Sequence, residues 1–246
     1  MWKLFFVLSF LSTKAWSFNL TSDFKNGFYW SEFPISMTVV DGDPIRKENL
    51  EVITKKSMNE WESETGLSIW NFVTSGSSAA TSNIIRWSTN FAAETGMDAN
   101  SVLAVAIRYT NGPYFAKTEI VINGGHYLNR DMDHLYTTIT HELGHTMGLD
   151  HSSVNKAVMA PVLQNPYYGL DEDDTQGMDQ AFNETQSRQV SGYISPLAFQ
   201  ESKSTSASGV GCGMIQVSGS NNMVSLSVGL ILGFLKKIFS WLKSFF

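Results

Sequence analysis

An internal disulfide is excluded in this chain, because its 246 residues include a single cysteine, Cys212. Positive charge is also scarce. The chain has 17 Lys and Arg against 23 Asp and Glu, and a formal net charge of −6 argues against nucleic acid as a partner. No apolar run reaches the ~20 residues of a standard membrane-spanning helix, since the run from Met223 to Leu235 has about thirteen. With 43% hydrophobic residues, the chain can nevertheless bury the core of a domain of about 160 residues.

The N-terminus has the pattern of a secretory signal peptide. Lys3 provides a basic start, Leu4 to Leu11 form an apolar run, and Ala15 and Ser17 are small residues before a cleavage point. We therefore predict a signal peptide over residues 1–17 and a protein that is secreted or held in the cell envelope.

The most specific chemical signal is the eleven-residue stretch H-E-L-G-H-T-M-G-L-D-H, from His141 to His151. On a helix, residues four apart share a face, so His141 and His145 can bind one ion. Gly148 lets the chain leave the helix and return with His151 as a third ligand. Three imidazoles and an open position are typical of catalytic zinc, and Glu142 is placed to act as the general base. An ordinary amphipathic helix would not explain Glu142, Gly148 and His151 together.

The zinc motif is predicted to lie on an amphipathic helix that Asp131 or Asp133 caps. The predicted core face consists of Met132, Leu135, Tyr136, Ile139, Leu143 and Met147. The opposite face carries His134, Thr138, His141 and His145 and is predicted to look into a cleft. His134 lies about 10 Å along the axis from His141, so we do not expect it to be a ligand.

Regular elements are also predicted outside the motif. The pattern predicts a strand over residues 34–40, a helix from Asn49 to Thr65 that ends at Gly66, and strands over residues 84–87, 101–109 and 117–123. The last two strands are joined through Asn111-Gly112-Pro113.

In the zinc motif and the residues after it, the chain resembles the metzincin metallopeptidases, and among them the matrixins. Met159 lies eight residues after His151, in the stretch A-V-M-A-P, which is similar to the methionine turn of matrixins. Residues 170–178, L-D-E-D-D-T-Q-G-M, resemble the start of the last matrixin helix. The resemblance implies an α+β catalytic domain over residues 24–187, with a twisted mixed sheet, an active-site helix and a C-terminal helix.

The resemblance also implies an activity, zinc-dependent endopeptidase, with proteins or peptides as substrates. One catalytic zinc would be held by His141, His145 and His151, with Glu142 as the base and Met159 as an apolar floor. No segment with the histidines of a second, structural zinc site is found, and no calcium loop is evident, so Ca²⁺ is left open. No inhibitory segment is recognisable.

Two segments are candidates for contact with substrate. By the resemblance, residues 103–108 would form the edge of the sheet, where an extended peptide could add as a strand, with Leu103, Ala104 and Val105 as candidate residues. A core strand explains that segment equally well. Pro161, Tyr167 and Tyr168 are candidates for the wall of the pocket beyond the cut bond, although the tyrosines fit an exposed loop equally well.

The C-terminal part changes character twice. Residues 188–222 are rich in Ser and Gly and predict a linker. Residues 223–246 are apolar and cationic, and they fit a membrane-surface helix, a short anchor, a sorting segment or a helix that packs on the domain. Two other functions remain open, a tail-anchored peptide-binding module without turnover and a membrane-active protein. The intact Glu142 argues against the first. Nothing indicates the oligomeric state.

Overall fold

One mixed sheet and three long helices dominate the described part of the chain. The computed structural model describes residues 17–74, 81–162, 167–199 and 209–216. Most of the predicted signal peptide and the whole apolar-cationic tail, residues 223–246, lie outside these ranges.

The elements follow one another in a mostly alternating order. They are β1 (Asn19–Leu20), α1 (Ser22–Lys25), β2 (Tyr29–Trp30), β3 (Ile35–Val40), α2 (Pro44–Thr65), β4 (Trp70–Phe72), β5 (Ile84–Ser88), α3 (Phe91–Thr95), β6 (Val102–Asn111), β7 (Tyr114–Asn123), α4 (Met132–Thr146), β8 (Leu149–Asp150), α5 (Glu172–Ser191) and β9 (Gly209–Gln216). Short 3-10 turns span Tyr127–Arg130 and Pro196–Phe199.

The large sheet has the strand order β4-β3-β5-β7-β6-β9, and β2 pairs with β7 beside it. Strands β3, β4, β5 and β7 run parallel, whereas β6 is antiparallel to both β7 and β9. The predicted mixed sheet is therefore confirmed. The predicted turn at Gly112 is also confirmed, since Gly112 has φ 57° between β6 and β7, a conformation that glycine adopts without steric cost.

Helix α2 begins earlier than predicted. The side chain of Asp43 accepts hydrogen bonds from the backbone N–H groups of Ile45 and Arg46, and Pro44 occupies the first helical position. The helix ends where predicted, at Gly66, whose φ of 71° is left-handed.

Helix α4 carries the zinc motif and is capped by Asp131, the first of the two predicted caps. Asp131 accepts from the N–H groups of Asp133 and His134. The predicted core face is buried at Leu135, Ile139, Leu143 and Met147, whereas Met132 is 45% exposed. The opposite face is also buried from Thr137 to Thr146, so α4 is embedded in the domain on both sides.

Three tryptophans anchor α4 to the rest of the core. The indole N–H of Trp61, on α2, donates to the carbonyl of Thr140 over 2.9 Å. Trp30 donates to the carbonyl of Thr146 over 2.8 Å, and Trp70 donates to the hydroxyl of Thr146. Each indole thereby fills apolar space and also satisfies a polar atom of the helix.

The segment predicted as a linker contains regular structure. Helix α5 continues to Ser191, a 3-10 turn follows at Pro196–Phe199, and Gly209–Gln216 form β9. Composition does not reveal β9, because its hydrogen-bond partners come from β6, about a hundred residues earlier. The prediction that residues 103–108 form the sheet edge is wrong, because β9 pairs along β6 and is itself the last strand of the sheet.

The helices within the described ranges do not include a candidate for a membrane span. None of them is both long enough and apolar enough to cross a bilayer.

Candidate metal centre

The three predicted ligands come together at the C-terminal half of α4. His141 and His145 lie one turn apart on the helix and are fully buried, and His151 follows β8. Each offers a ligand atom, and these atoms all lie within 4.8 Å of one another. The ring centroid of His141 lies 4.6 Å from that of His145 and 5.3 Å from that of His151, and the centroids of His145 and His151 are 5.1 Å apart.

Two backbone carbonyls orient the helical histidines. Nδ1 of His141 lies 2.6 Å from the carbonyl oxygen of Val158, and Nδ1 of His145 lies 2.7 Å from that of Leu149. Because a carbonyl only accepts, each Nδ1 carries a proton and each Nε2 of a neutral ring presents its lone pair.

The inward-facing nitrogens provide the test of whether a metal fits. The two Nε2 atoms are 2.9 Å apart. Two lone pairs repel at this distance, and a cation bound by both would remove the repulsion. Burial is the main cause that holds the pKa of His145 well below its ordinary 6.5, and the neighbouring His141 and His151 lower this pKa further. The neutral ring is therefore favoured. Neutral imidazole nitrogens in this arrangement suit zinc.

The loop that returns His151 to the centre depends on Gly148. Its φ of 100° is left-handed, and a Cβ there would lie 2.6 Å from a ring carbon of Phe24. The N-terminal segment holds this loop. Thr21 donates its N–H to the carbonyl of Gly148 over 2.8 Å, and Asn19 and Leu20 in β1 pair with β8. Residues before the predicted domain start at 24 therefore help to place the third ligand.

The methionine turn packs against α4 between its two histidines. Met159 is 1% exposed, and its carbonyl accepts the N–H of Ser152 over 2.8 Å. A Cβ at Gly144 would collide with the sulfur of Met159, so only glycine lets the helix approach the turn this closely. This contact places the Met159 side chain against α4 at Gly144, between His141 and His145 in the chain.

Asp174, on α5, holds the methionine turn from outside. Its carboxylate accepts the N–H groups of Val158 (2.8 Å) and Met159 (3.0 Å), and that of Asp171 (2.8 Å) in a capping box. Burial raises the pKa of Asp174 to about 6, although the three N–H donors act in the opposite direction. Since the Val158 carbonyl orients His141, Asp174 acts on the metal centre through the backbone.

A buried ion pair supports the other end of the centre. Arg108, on β6, binds the carboxylate of Asp23 through two hydrogen bonds of 2.8 Å and 2.9 Å, and both side chains are 0% exposed. Arg108 also donates to the carbonyl of His145. It thus satisfies a carbonyl at the end of α4, where a cation is favourable.

A family model described as Matrixin matches residues 29–183, which is more than half of the chain. The chain belongs to the matrixin family. Matrixins are zinc-dependent peptidases, and the matched region contains the histidine cluster, the methionine turn and Asp174. Strand β9 and residues 17–28 lie outside the matched region.

The candidate substrate residues of this matrixin do not share one surface. Leu103, Ala104 and Val105 are fully buried on β6. Tyr168 is 72% exposed, whereas Tyr167 is half-buried. The ring of Tyr167 packs edge-on against that of Tyr136, with the two ring centroids 5.5 Å apart.

The loop that carries the other pocket candidates is only partly described. Pro161 is exposed, and the connecting residues 163–166 are outside the described ranges. The predicted roles of all six candidates stay predictions.

His134, which was not expected to be a ligand, lies beside the residue that caps α4. Nδ1 of His134 lies 3.1 Å from a carboxylate oxygen of its helix cap, Asp131, so its place is at the start of α4. Across the described ranges, the cluster of His141, His145 and His151 is the one group found that could hold a metal. The expectations about a structural zinc and about calcium stay open.

Sequence reasoning missed the residues that position the ligands. Arg108 and Asp23 are 85 residues apart and leave no local pattern. The backbone carbonyls of Val158 and Leu149 leave none either, because every residue has one. Asp174 was visible only as part of a family motif, without a role.

Replacing Asp174 with Asn is expected to destabilise the domain by about 2–4 kcal/mol, because the amide offers N–H where three backbone N–H groups need an acceptor. Zinc affinity should fall by roughly 10–100-fold through the displaced Val158 carbonyl. Urea unfolding and zinc competition titration measure the two effects. Asp179→Asn, on the same helix, is the control. Equal effects of the two variants would contradict this role for Asp174.

Proposed function

We propose that this matrixin is a zinc endopeptidase that cleaves proteins or peptides outside the cell or in its envelope. One zinc would be held by Nε2 of His141 and His145 and by His151. The observation that carries this proposal is the pair of inward-facing Nε2 atoms, each fixed by a carbonyl behind its ring.

The metal, when bound, would supply a Lewis acid that polarises the scissile carbonyl and lowers the pKa of the attacking water toward 7. The protein's own contribution is proton transfer. Glu142, fully buried beside His141 on α4, takes a proton from the attacking water and delivers it to the leaving amine. The rigid anchoring of α4 by Trp61 and Trp30 keeps this carboxylate in place.

Substrate would bind in an extended conformation along the side of β6 that pairs with β9, in place of β9, at the level of Leu103, Ala104 and Val105. Main-chain hydrogen bonds to such a strand give affinity without strong sequence demands. Pro161, Tyr167 and Tyr168 are proposed for the side of the pocket that receives the residue beyond the cut bond.

Metal analysis of the purified protein tests the proposed centre. We expect one zinc per chain, and we expect a chelator to abolish cleavage. His151→Ala should lower both zinc affinity and activity, because two ligands remain. His134→Ala is the matched control and should preserve both. Full zinc affinity in His151→Ala would show that the assigned ligand set is incorrect. Two zinc ions per chain would contradict the expectation that a structural zinc site is missing.

Export and membrane attachment form a separate part of the proposal. They rest on residues 1–17 and on three lysines among the apolar residues of 223–246. The full chain should fractionate with membranes, whereas a chain that ends at Asn222 should stay in the soluble fraction. If both chains stay soluble and intact-mass analysis finds residues 223–246 still present, the attachment part is wrong.

A further inference from the structure

Strand β9 occupies the only side of β6 on which an extended peptide could add. A strand has two hydrogen-bonding sides, and β7 takes one of them along most of β6. β9 runs antiparallel along the other, from Gln216 opposite Val102 to Gly209 opposite Tyr109. We infer that residues 209–216 are an internal occupant of the substrate site, which restrains the peptidase until they are displaced. This inference rests on the proposed function.

The position of β9 relative to the metal centre supports this assignment. β9 contacts α4, the helix that carries two metal ligands and Glu142, and it also contacts α1. Opposite Val210 of β9 lies Arg108, whose guanidinium reaches the carbonyl of His145. Because both β6 and β9 contact α4, the occupied side of β6 lies beside the helix that carries the metal ligands.

The pairing of β9 with β6 is suited to displacement. It has two register irregularities, between Val102 and Ala104 and between Ile107 and Arg108, whereas the pairing of β6 with β7 has one. Each irregularity interrupts the hydrogen-bond ladder. Three of the eight β9 residues are glycines, Gly209, Gly211 and Gly213, which weaken a strand. β9 therefore depends on β6 for its structure, and a better strand former could replace it.

Attachment to the same chain compensates for this weak pairing. Residues 200–208 connect β9 to the 3-10 turn that ends at Phe199. For a short tether the effective concentration is on the order of millimolar. A substrate would have to compete with that concentration, so the full chain should show a raised KM and an unchanged kcat.

Proline variants of the full chain test the restraint. In an antiparallel ladder, neighbouring residues point their N–H groups to opposite sides. One of the two variants Cys212→Pro and Gly213→Pro therefore removes an N–H group that donates to β6, and this one is called the effective variant. The effective variant should raise kcat/KM for a peptide substrate about tenfold or more. Cys212→Ser and Gly213→Ala keep their N–H groups and should remain within about twofold of the unchanged chain.

A binding readout separates this inference from the proposed function. The probe is a fluorescent peptide with the sequence of residues 207–218 and the substitution Cys212→Ser. It should bind the effective proline variant in fluorescence anisotropy, should not bind the unchanged chain, and should inhibit the variant competitively. Hydrogen exchange should show that the amides of residues 103–109 lose protection in the same variant.

The outcomes are distinct. Equal probe binding by the proline variants and the unchanged chain would overturn the inference, as would unchanged kcat/KM in variants whose β6 amides have lost protection. Rapid self-cleavage within residues 209–216 would overturn it too, because a removed segment cannot restrain the site. If no chain cleaves peptide but the probe distinguishes the variants, the proposed function fails and the occupied strand edge stands.

Discussion

Glu142→Gln is expected to lower kcat for peptide cleavage by at least about a hundredfold, the usual scale for a positioned general base. Glutamine has nearly the same shape but cannot take the proton of the attacking water. The zinc content should stay at one ion per chain, because Glu142 is not among the proposed ligands. The melting temperature should change little. Peptide cleavage assays stopped at fixed times measure kcat, and zinc analysis of the same samples measures the metal content.

Glu64→Gln is the matched control for this prediction, since it makes the same chemical change at an exposed position near the end of α2. It should cleave peptide at the rate of the unchanged chain. Near-normal cleavage by Glu142→Gln would remove the proton acceptor from the proposed mechanism. Loss of zinc from that variant would instead mean that Glu142 contributes to the metal site itself.

Arg108→Met is expected to lower the free energy of unfolding by about 3–5 kcal/mol, because it leaves Asp23 charged and buried without its partner. Both side chains are 0% exposed, so water cannot replace the lost bonds. The carbonyl of His145 also loses a donor at the end of α4. At roughly 2–4 °C per kcal/mol for a chain of this size, the melting temperature should fall by about 6–20 °C.

Two further variants separate the charge from the packing. Arg86→Met removes a partly exposed arginine that pairs with Glu94 and Glu119, and it should cost about 1 kcal/mol or less. The double variant of Asp23→Leu with Arg108→Met should recover part of the lost stability, because no unpaired charge remains buried. A single Arg108→Met variant as stable as Arg86→Met would contradict the importance of the pair.

Local sequence patterns were sufficient for the elements whose hydrogen bonds close within a few residues. Helix α4 was predicted because an i, i+4 pattern and a capping Asp131 lie close together in the chain. The end of α2 was predicted because Gly66 adopts a left-handed conformation at little cost. The start of α2 was missed, since the Asp43 cap with Pro44 precedes the first apolar positions that were used to recognise the helix.

Strand pairing was less accessible, because each strand obtains its hydrogen bonds from a distant part of the chain. Strands β3, β5, β6 and β7 were predicted from their β-branched residues. The short strand β4, three residues long, was not, and neither was β9. Strand β9 contains three glycines and follows a Ser-rich stretch, so its composition favours a linker. Only the presence of an unfilled side of β6 makes it a strand.

What the sequence determined by itself is the chemistry of the centre, because the spacing of His141, Glu142 and His145 is set by the pitch of one helix. The turn at Gly148 that brings back His151 is equally local. Tertiary structure decided which nitrogen of His141 faces the centre, because the carbonyl of Val158, in the methionine turn, sets the orientation of that ring. It also decided that β6 is covered by β9, since the competition for a strand edge is between segments far apart in the chain.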